Sequence, residues 1–224
     1  MKRYINEFKF TALGMALLFA GCKKFDSKYY NDPNNPVSQS SMQLVANAEY
    51  YLPDISSSPN GVHYAQHLSL TAFTDNSRFV PTNFNFYTWL AGPIKNLDEA
   101  IARANNLSDG PVANQKAVAK ILKAYFMWFA TDRWGDLPFS EALKGKDNFT
   151  PAYDKQQTIY NSLFTLLDEA NTEIVTVNGN VKNDIVYNGD INKWKRLGNT
   201  IHLLMALRLS KVDAVKGKAE FLKA

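Results

Sequence analysis

The sequence predicts an all-α fold, and three observations lead there. Apolar residues recur every three or four positions through three long stretches in the second half of the chain, the spacing of helix faces turned to a core. Asp or Pro, residues that start helices, stand at the head of each stretch. Hydrophobic residues make up 46% of the 224-residue chain and aromatic ones 13%, enough to bury a substantial core. Consecutive amphipathic helices must bury their stripes against one another, so the architecture expected is a helical array joined by long loops.

The elements follow in order. Ser40-Ser41 is an N-cap pair for MQLVANAEYYL, which keeps helical spacing until Pro53 stops it. A second helix is predicted from Val62 to Phe73. A third, from about Tyr87 to Asn105, contains Pro93 and must start late or kink there. Pro111 is placed as a first-turn residue for a helix reaching Asp132, with Val118, Leu122, Tyr125 and Phe129 on one face. Asp154 and Gln157 read as a capping-box pair, followed by the stripe Ile159, Leu163, Leu166, Leu167, Ala170 and Ile174. Asn188-Gly189 supplies a turn, a short strand is compatible with Ile185 to Tyr187, and Asp190 opens a helix. The stripe of that helix is Trp194, Leu197, Ile201, Met205, Leu209 and Val212. The chain closes on KAEFLKA, the start of a further helix.

The amino terminus reads differently. Lys2, Arg3 and Lys9 precede Phe10 to Phe19, a charge-free run too short for the roughly 20 residues that span a bilayer, and Ala20-Gly21 follow it. This is the layout of a secretory signal. The only cysteine of the chain, Cys22, comes next. A lone thiol cannot build a disulfide framework and lacks the spacing of a metal or redox site. Phe19-Ala20-Gly21-Cys22 resembles a bacterial lipobox, which implies that residues 1–21 are removed and Cys22 carries the lipid, although Phe19 stands where Leu is usual. Residues 23–40, KKFDSKYYNDPNNPVSQS, are polar and interrupted by Pro33 and Pro36, so an extended tether is expected there.

Removal of residues 1–21 would leave 22 basic against 20 acidic residues, a net charge of +2 in place of +4. That balance offers no polybasic stripe, and nucleic-acid binding is excluded as a class. Catalytic constellations are also missing. His63 and His67 are spaced as two ligands on one helix face, but Tyr-Ala-Gln between them supplies no glutamate base and no third ligand is identifiable. Asp132, Asp136 and Glu141 cluster about one connector, where a glycosidase would need a pair of defined separation, and capping a helix end and its turn explains Asp132 and Asp136 better. No enzyme activity, cofactor or metal is expected.

For binding, RFVPTNFNFYTW at residues 78–89 gathers aromatic rings with Asn and Thr. Phe84, Phe86, Tyr87 and Trp89 are the candidate ligand contacts, because flat rings edged by amide donors suit the C–H faces of sugars. The competing account is that these rings anchor a loop in the core. Trp128 and Trp134 are ambiguous in the same way, with core packing the stronger reading.

Three ordered stretches carry a family likeness. RWGDLPFSEAL at 133–143, PAYDKQQTIYNSLFTLLDEA at 151–170 and KWKRLGNTIHLLMALRLS at 193–210, with DPNNP at 32–36, resemble the SusD/RagB family of nutrient-binding lipoproteins. The resemblance implies a tetratricopeptide-like helical array of SusD type over residues 41–224, of which this chain is the N-terminal portion. It further implies a surface-exposed protein, lipid-anchored in the outer membrane, with the palmitate placed on Cys22 by the lipobox resemblance rather than by any motif in the helices. Such a protein binds glycans or other nutrients and passes them to a SusC-like TonB-dependent transporter. A helical-repeat scaffold that binds only protein partners is the alternative.

Overall fold

The computed structural model of the protein describes residues 39–57, 59–79 and 85–224. The lipobox, Cys22, nearly all of the tether and Phe84 lie outside them.

Ser40 caps the first helix, α1 (Ser41–Glu49), through a full capping box: its hydroxyl accepts from Gln43 N, and the Gln43 side chain accepts from Ser40 N. Two short helices follow, α2 (Leu52–Ser56) and α3 (Pro59–Tyr64). The helix expected to reach Phe73 stops at Tyr64. His67 N donates to Val62 O and Gln66 N to His63 O, with Gln66 at φ 59°, which is a complete Schellman termination on a residue other than glycine. His63 and His67 therefore do not share a helix face, and the ring of His63 lies 3.2 Å from Leu68 O instead.

Pro93 acts as its missing N–H requires. The helix α4 (Tyr87–Trp89) widens into a π-turn over Leu90–Ile94 and recovers regular geometry only in α5 (Lys95–Arg103). Next comes α6 (Val112–Trp134), with Pro111 at its N-cap. This 23-residue helix packs against α1 and α5 on one side and against the two helices after it on the other. Burial on several faces explains its composition: Ala117, Val118, Ile121, Leu122, Phe126 and Met127 are all within 1% of complete burial. Its buried polar side chains are hydrogen-bonded, with Gln115 Oε1 alone among their atoms left without a partner among the described residues. Asn114 donates to Val175 O and Gly179 O and accepts from Val175 N, while Gln115 donates to Asn106 O and Gly110 O.

After α6, β1 (Leu137–Pro138) pairs antiparallel with β2 (Tyr153–Asp154), Leu137 opposite Asp154. This pairing corrects the expected cap of the next helix, α7 (Gln156–Glu173). Asp154 is turned toward the connector and accepts from Phe139 N, Ser140 N and Ser140 Oγ. The head of α7 is held instead by Asp136, which accepts from Gln156 N at 2.9 Å and from Lys155 Nζ at 2.7 Å. The α7 stripe is as expected, with Ile159, Leu163, Leu167 and Ala170 buried.

No strand forms at Ile185 to Tyr187. Asp184, 6% exposed, accepts from Val186 N, Tyr187 N, Gly189 N and Trp194 Nε1 and so winds the segment into a turn. Asn188 and Gly189 both take positive φ, 53° and 83°, as that turn demands. Glu49, at the end of α1 and 2% exposed, accepts from Ile185 N and shares a side-chain hydrogen bond with Asp184. Two carboxyls can share such a bond only if one is protonated. Burial first, and then the neighbouring Asp184, push Glu49 up to about 8, so it holds that proton. Burial also pushes Asp184 up, but the donors from Trp194, Glu49 and the backbone outweigh it and hold Asp184 below the usual carboxylate range.

Asp190 caps α8 (Ile191–Arg208) by accepting from Asn192 N and Lys193 N. Gly198 allows α8 to approach α6 closely: a β-carbon there would stand 3.2 Å from the Ile121 side chain. Trp194, Ile201 and Met205 are buried, as the stripe required, but a 3-10 turn over Leu209–Lys211 breaks the helical phase and leaves Val212 84% exposed. The last helix, α9 (Ala214–Lys223), packs back on α8. The array of α5 through α9 is the helical architecture that the stripes require.

Candidate functional site

The C-terminal end of α6 collects aromatic rings from three distant parts of the chain. Phe86, at the mouth of α4, is the hub. Its ring centroid lies 6.1 Å from Trp134, 6.3 Å from Tyr153 and 6.1 Å from Tyr87, the first two edge-on. Tyr87 and Tyr153 are each 60% exposed, so the two phenols flank the hub and face outward. The β1–β2 pairing places Tyr153 there, opposite Pro138.

Beneath them the rings belong to the core. Trp89 is 7% exposed, 5.4 Å from Trp134 and 5.6 Å from Phe129. The candidate contacts therefore separate. Trp89 supports the platform from below, as the loop-anchoring account held, while Phe86 and Tyr87 form its accessible part. Trp134 lies between the layers with the Arg133 guanidinium 4.9 Å from its ring centre. Tyr153 was not among the sequence candidates. Its position beside Asp154 suggested a helix start, and only the strand pairing shows that it joins the residues at 86–87.

The carboxylates of the connector are each engaged by their own partners. Asp136 caps α7, and Glu141 accepts from Asn148 Nδ2 and Ala152 N. Asp132 sits in the last turn of α6, where it accepts from the Tyr160 hydroxyl and stands 3.4 Å from Arg208 Nε. Trp128 Nε1 in turn donates to Tyr160 at 3.0 Å, which fixes Trp128 as a core residue. Burial first, and then Asp132, raise the Tyr160 phenol well above its ordinary range, so it remains a donor. This chain of bonds ties α6, α7 and α8 together at one end.

Residues 33–224 match the SusD-like family described as starch-binding and associating with the outer membrane. Among solved structures, a chitin-binding protein shares 31% identity with a TM-score of 0.67, covering 81% of this chain and 42% of its own. A SusD homologue from Bacteroides fragilis has the same fold at 22% identity and a TM-score of 0.66, covering 83% of this chain and 40% of its own. A SusD-like protein of Bacteroidetes AC2a shares 26% identity with a TM-score of 0.63, over 83% and 36% respectively. The chain thus spans about two fifths of the length of these solved proteins. No curated protein matches the sequence.

Proposed function

The chain belongs to the SusD-like family of outer-membrane-associated proteins, and from that premise we propose that it is a cell-surface lipoprotein that captures glycans for uptake. The observation that carries the reading is the family match over residues 33–224. The aromatic platform gives it a place. Tyr87 and Tyr153 offer exposed ring faces on either side of Phe86, and neutral polysaccharides of the starch or chitin type present the flat C–H surfaces that stack on them. The family description and the chitin-binding relative support these two glycans as the first to test.

The remaining parts of the reading come from the sequence. Residues 1–21 are a signal peptide, Cys22 is the acylated residue after cleavage, and residues 23–40 are the tether that lets residues 41–224 stand off the membrane. A protein that binds without catalysing aids uptake only by passing its cargo on, so the partner is a SusC-like TonB-dependent barrel. Anchoring both partners in one membrane raises their effective concentration. The segments at 53–61 and 144–153 are the candidate contact surfaces, the second presenting Phe149 at 80% exposure.

Affinity purification from membranes in mild detergent tests this assembly. Recovery of a TonB-dependent barrel in near-equal amount is expected. Recovery of the lipoprotein alone, under conditions in which a known barrel complex survives, would overturn the partnership. Replacing Cys22 by Ser should abolish palmitate labelling and release the protein from the membrane fraction, and unchanged retention would reject the anchor.

A further inference from the structure

We propose that a cleft between the C-terminal ends of α6 and α8 and the first turns of α7 is a second binding site, shaped for one neutral sugar unit and separate from the aromatic platform. Its volume is about 580 Å³, within the range of small-molecule sites.

Three features of its lining select the ligand. The first is the Asp132–Arg208 pair. The Tyr160 hydroxyl fixes one oxygen of Asp132, and the other faces Arg208 Nε at 3.4 Å. This single, long contact leaves most of the five guanidinium N–H donors of Arg208 available beside a carboxylate acceptor. Donors and an acceptor side by side match two adjacent sugar hydroxyls, each of which both donates and accepts.

The second feature is a pair of amides. Gln157 and Asn161 stand one turn apart on α7 and both line the cleft, and neither side-chain amide is engaged in a hydrogen bond among the described residues. An amide supplies two donors and an acceptor without charge. The third is an apolar wall from Leu209 and Val212. Val212 is 84% exposed because the 3-10 turn Leu209–Lys211 rotated it out of the α8 stripe, and this gives the cleft a surface for a ring's C–H face.

Charge decides between neutral and ionic ligands. Arg208 and Lys216 are matched in the lining by Asp132 and Asp213, so the cleft has no net attraction for a cation or an anion. Asp213 is also occupied as the N-cap of α9, accepting from Lys216 N at 3.0 Å.

The test is nuclear magnetic resonance of the side-chain N–H groups of Gln157, Asn161 and Arg208. Glucose, galactose, mannose and N-acetylglucosamine are titrated separately to millimolar concentrations, with galacturonate as the acidic control. At least one neutral sugar is expected to shift all three side chains saturably. Arg208→Met and Asn161→Ala should each weaken that binding about tenfold, whereas a Tyr87→Ala/Tyr153→Ala variant should retain it. Both cleft residues are exposed side chains, and an unchanged circular dichroism melt confirms that each variant is folded. No shift with any neutral sugar, a preference for galacturonate, or unaltered binding by both cleft variants would overturn the proposal. Because the platform variant is carried in parallel, failure of the cleft leaves the surface-binding reading separately testable.

Discussion

Glu49→Gln should make the protein more stable at neutral pH than the wild type, by an amount that grows with pH. Glu49 ionises near 4.5 in the unfolded chain, but in the fold burial and Asp184 push it up to about 8. A raised carboxyl contributes stability that is fully present below the unfolded value and is lost as pH climbs toward the folded one. Between those limits the loss is about 1.36 kcal/mol per pH unit, so by pH 7 it reaches roughly 3 kcal/mol. That is a large share of the ~5–15 kcal/mol that holds a typical domain. Glutamine keeps an acceptor for Ile185 N and an N–H donor for Asp184, and it cannot ionise. Chemical denaturation of both chains at half-unit steps from pH 4.5 to 8.5 measures the difference. It should start near zero, widen with pH and level off above about pH 8. Asp184 is held low, so its own contribution is lost only as pH falls below the carboxylate range, outside this window. A constant difference between the two chains across the whole window would refute the protonated pair.

Other perturbations follow from the packing. Phe126→Ala should cost about 3–5 kcal/mol in chemical denaturation, because the ring is fully buried at the centre of α6. Gly198→Val drives a side chain into Ile121, 3.2 Å from the first added carbon, and should destabilise by about 1–3 kcal/mol, seen as a lower thermal midpoint. Asp190→Ala removes the carboxylate that receives Asn192 N and Lys193 N and should cost about 1 kcal/mol, with Asp190→Asn restoring most of it.

The parts of the fold that were legible in the sequence are those decided by neighbours in the chain. Ser40 and Asp190 cap their helices through amides two or three residues away, and Asn188-Gly189 makes its turn with two positive φ angles. The stripes of α7 and α8 likewise depend on period alone. What escaped depends on distant partners. Asp154 has the sequence of a cap, yet the pairing of Leu137 with Asp154 turns its carboxylate onto Ser140, and Asp136 caps α7 from 20 positions upstream. The early stop of α3 rests on Gln66 adopting a left-handed conformation, which glycine would have signalled and glutamine does not. At the site the same division holds. A cluster of rings at 84–89 was visible, but which of them faces solvent was set by Trp134 and Phe129 packing on Trp89, and Tyr153 arrived through a strand only two residues long.

The measurement that bears most directly on function is calorimetric titration of the chain and its Tyr87→Ala/Tyr153→Ala variant with soluble maltohexaose and chitohexaose. Stacking on each exposed ring contributes about 0.5–1.5 kcal/mol, so losing both should weaken binding roughly tenfold or more. Both substitutions are at exposed positions and should leave the thermal midpoint nearly unchanged. Wild-type binding to at least one of the two glycans, with that loss in the variant, is the result expected of a surface glycan-capture protein. Equal affinity in both chains, or no binding of either glycan by the wild type, would contradict it.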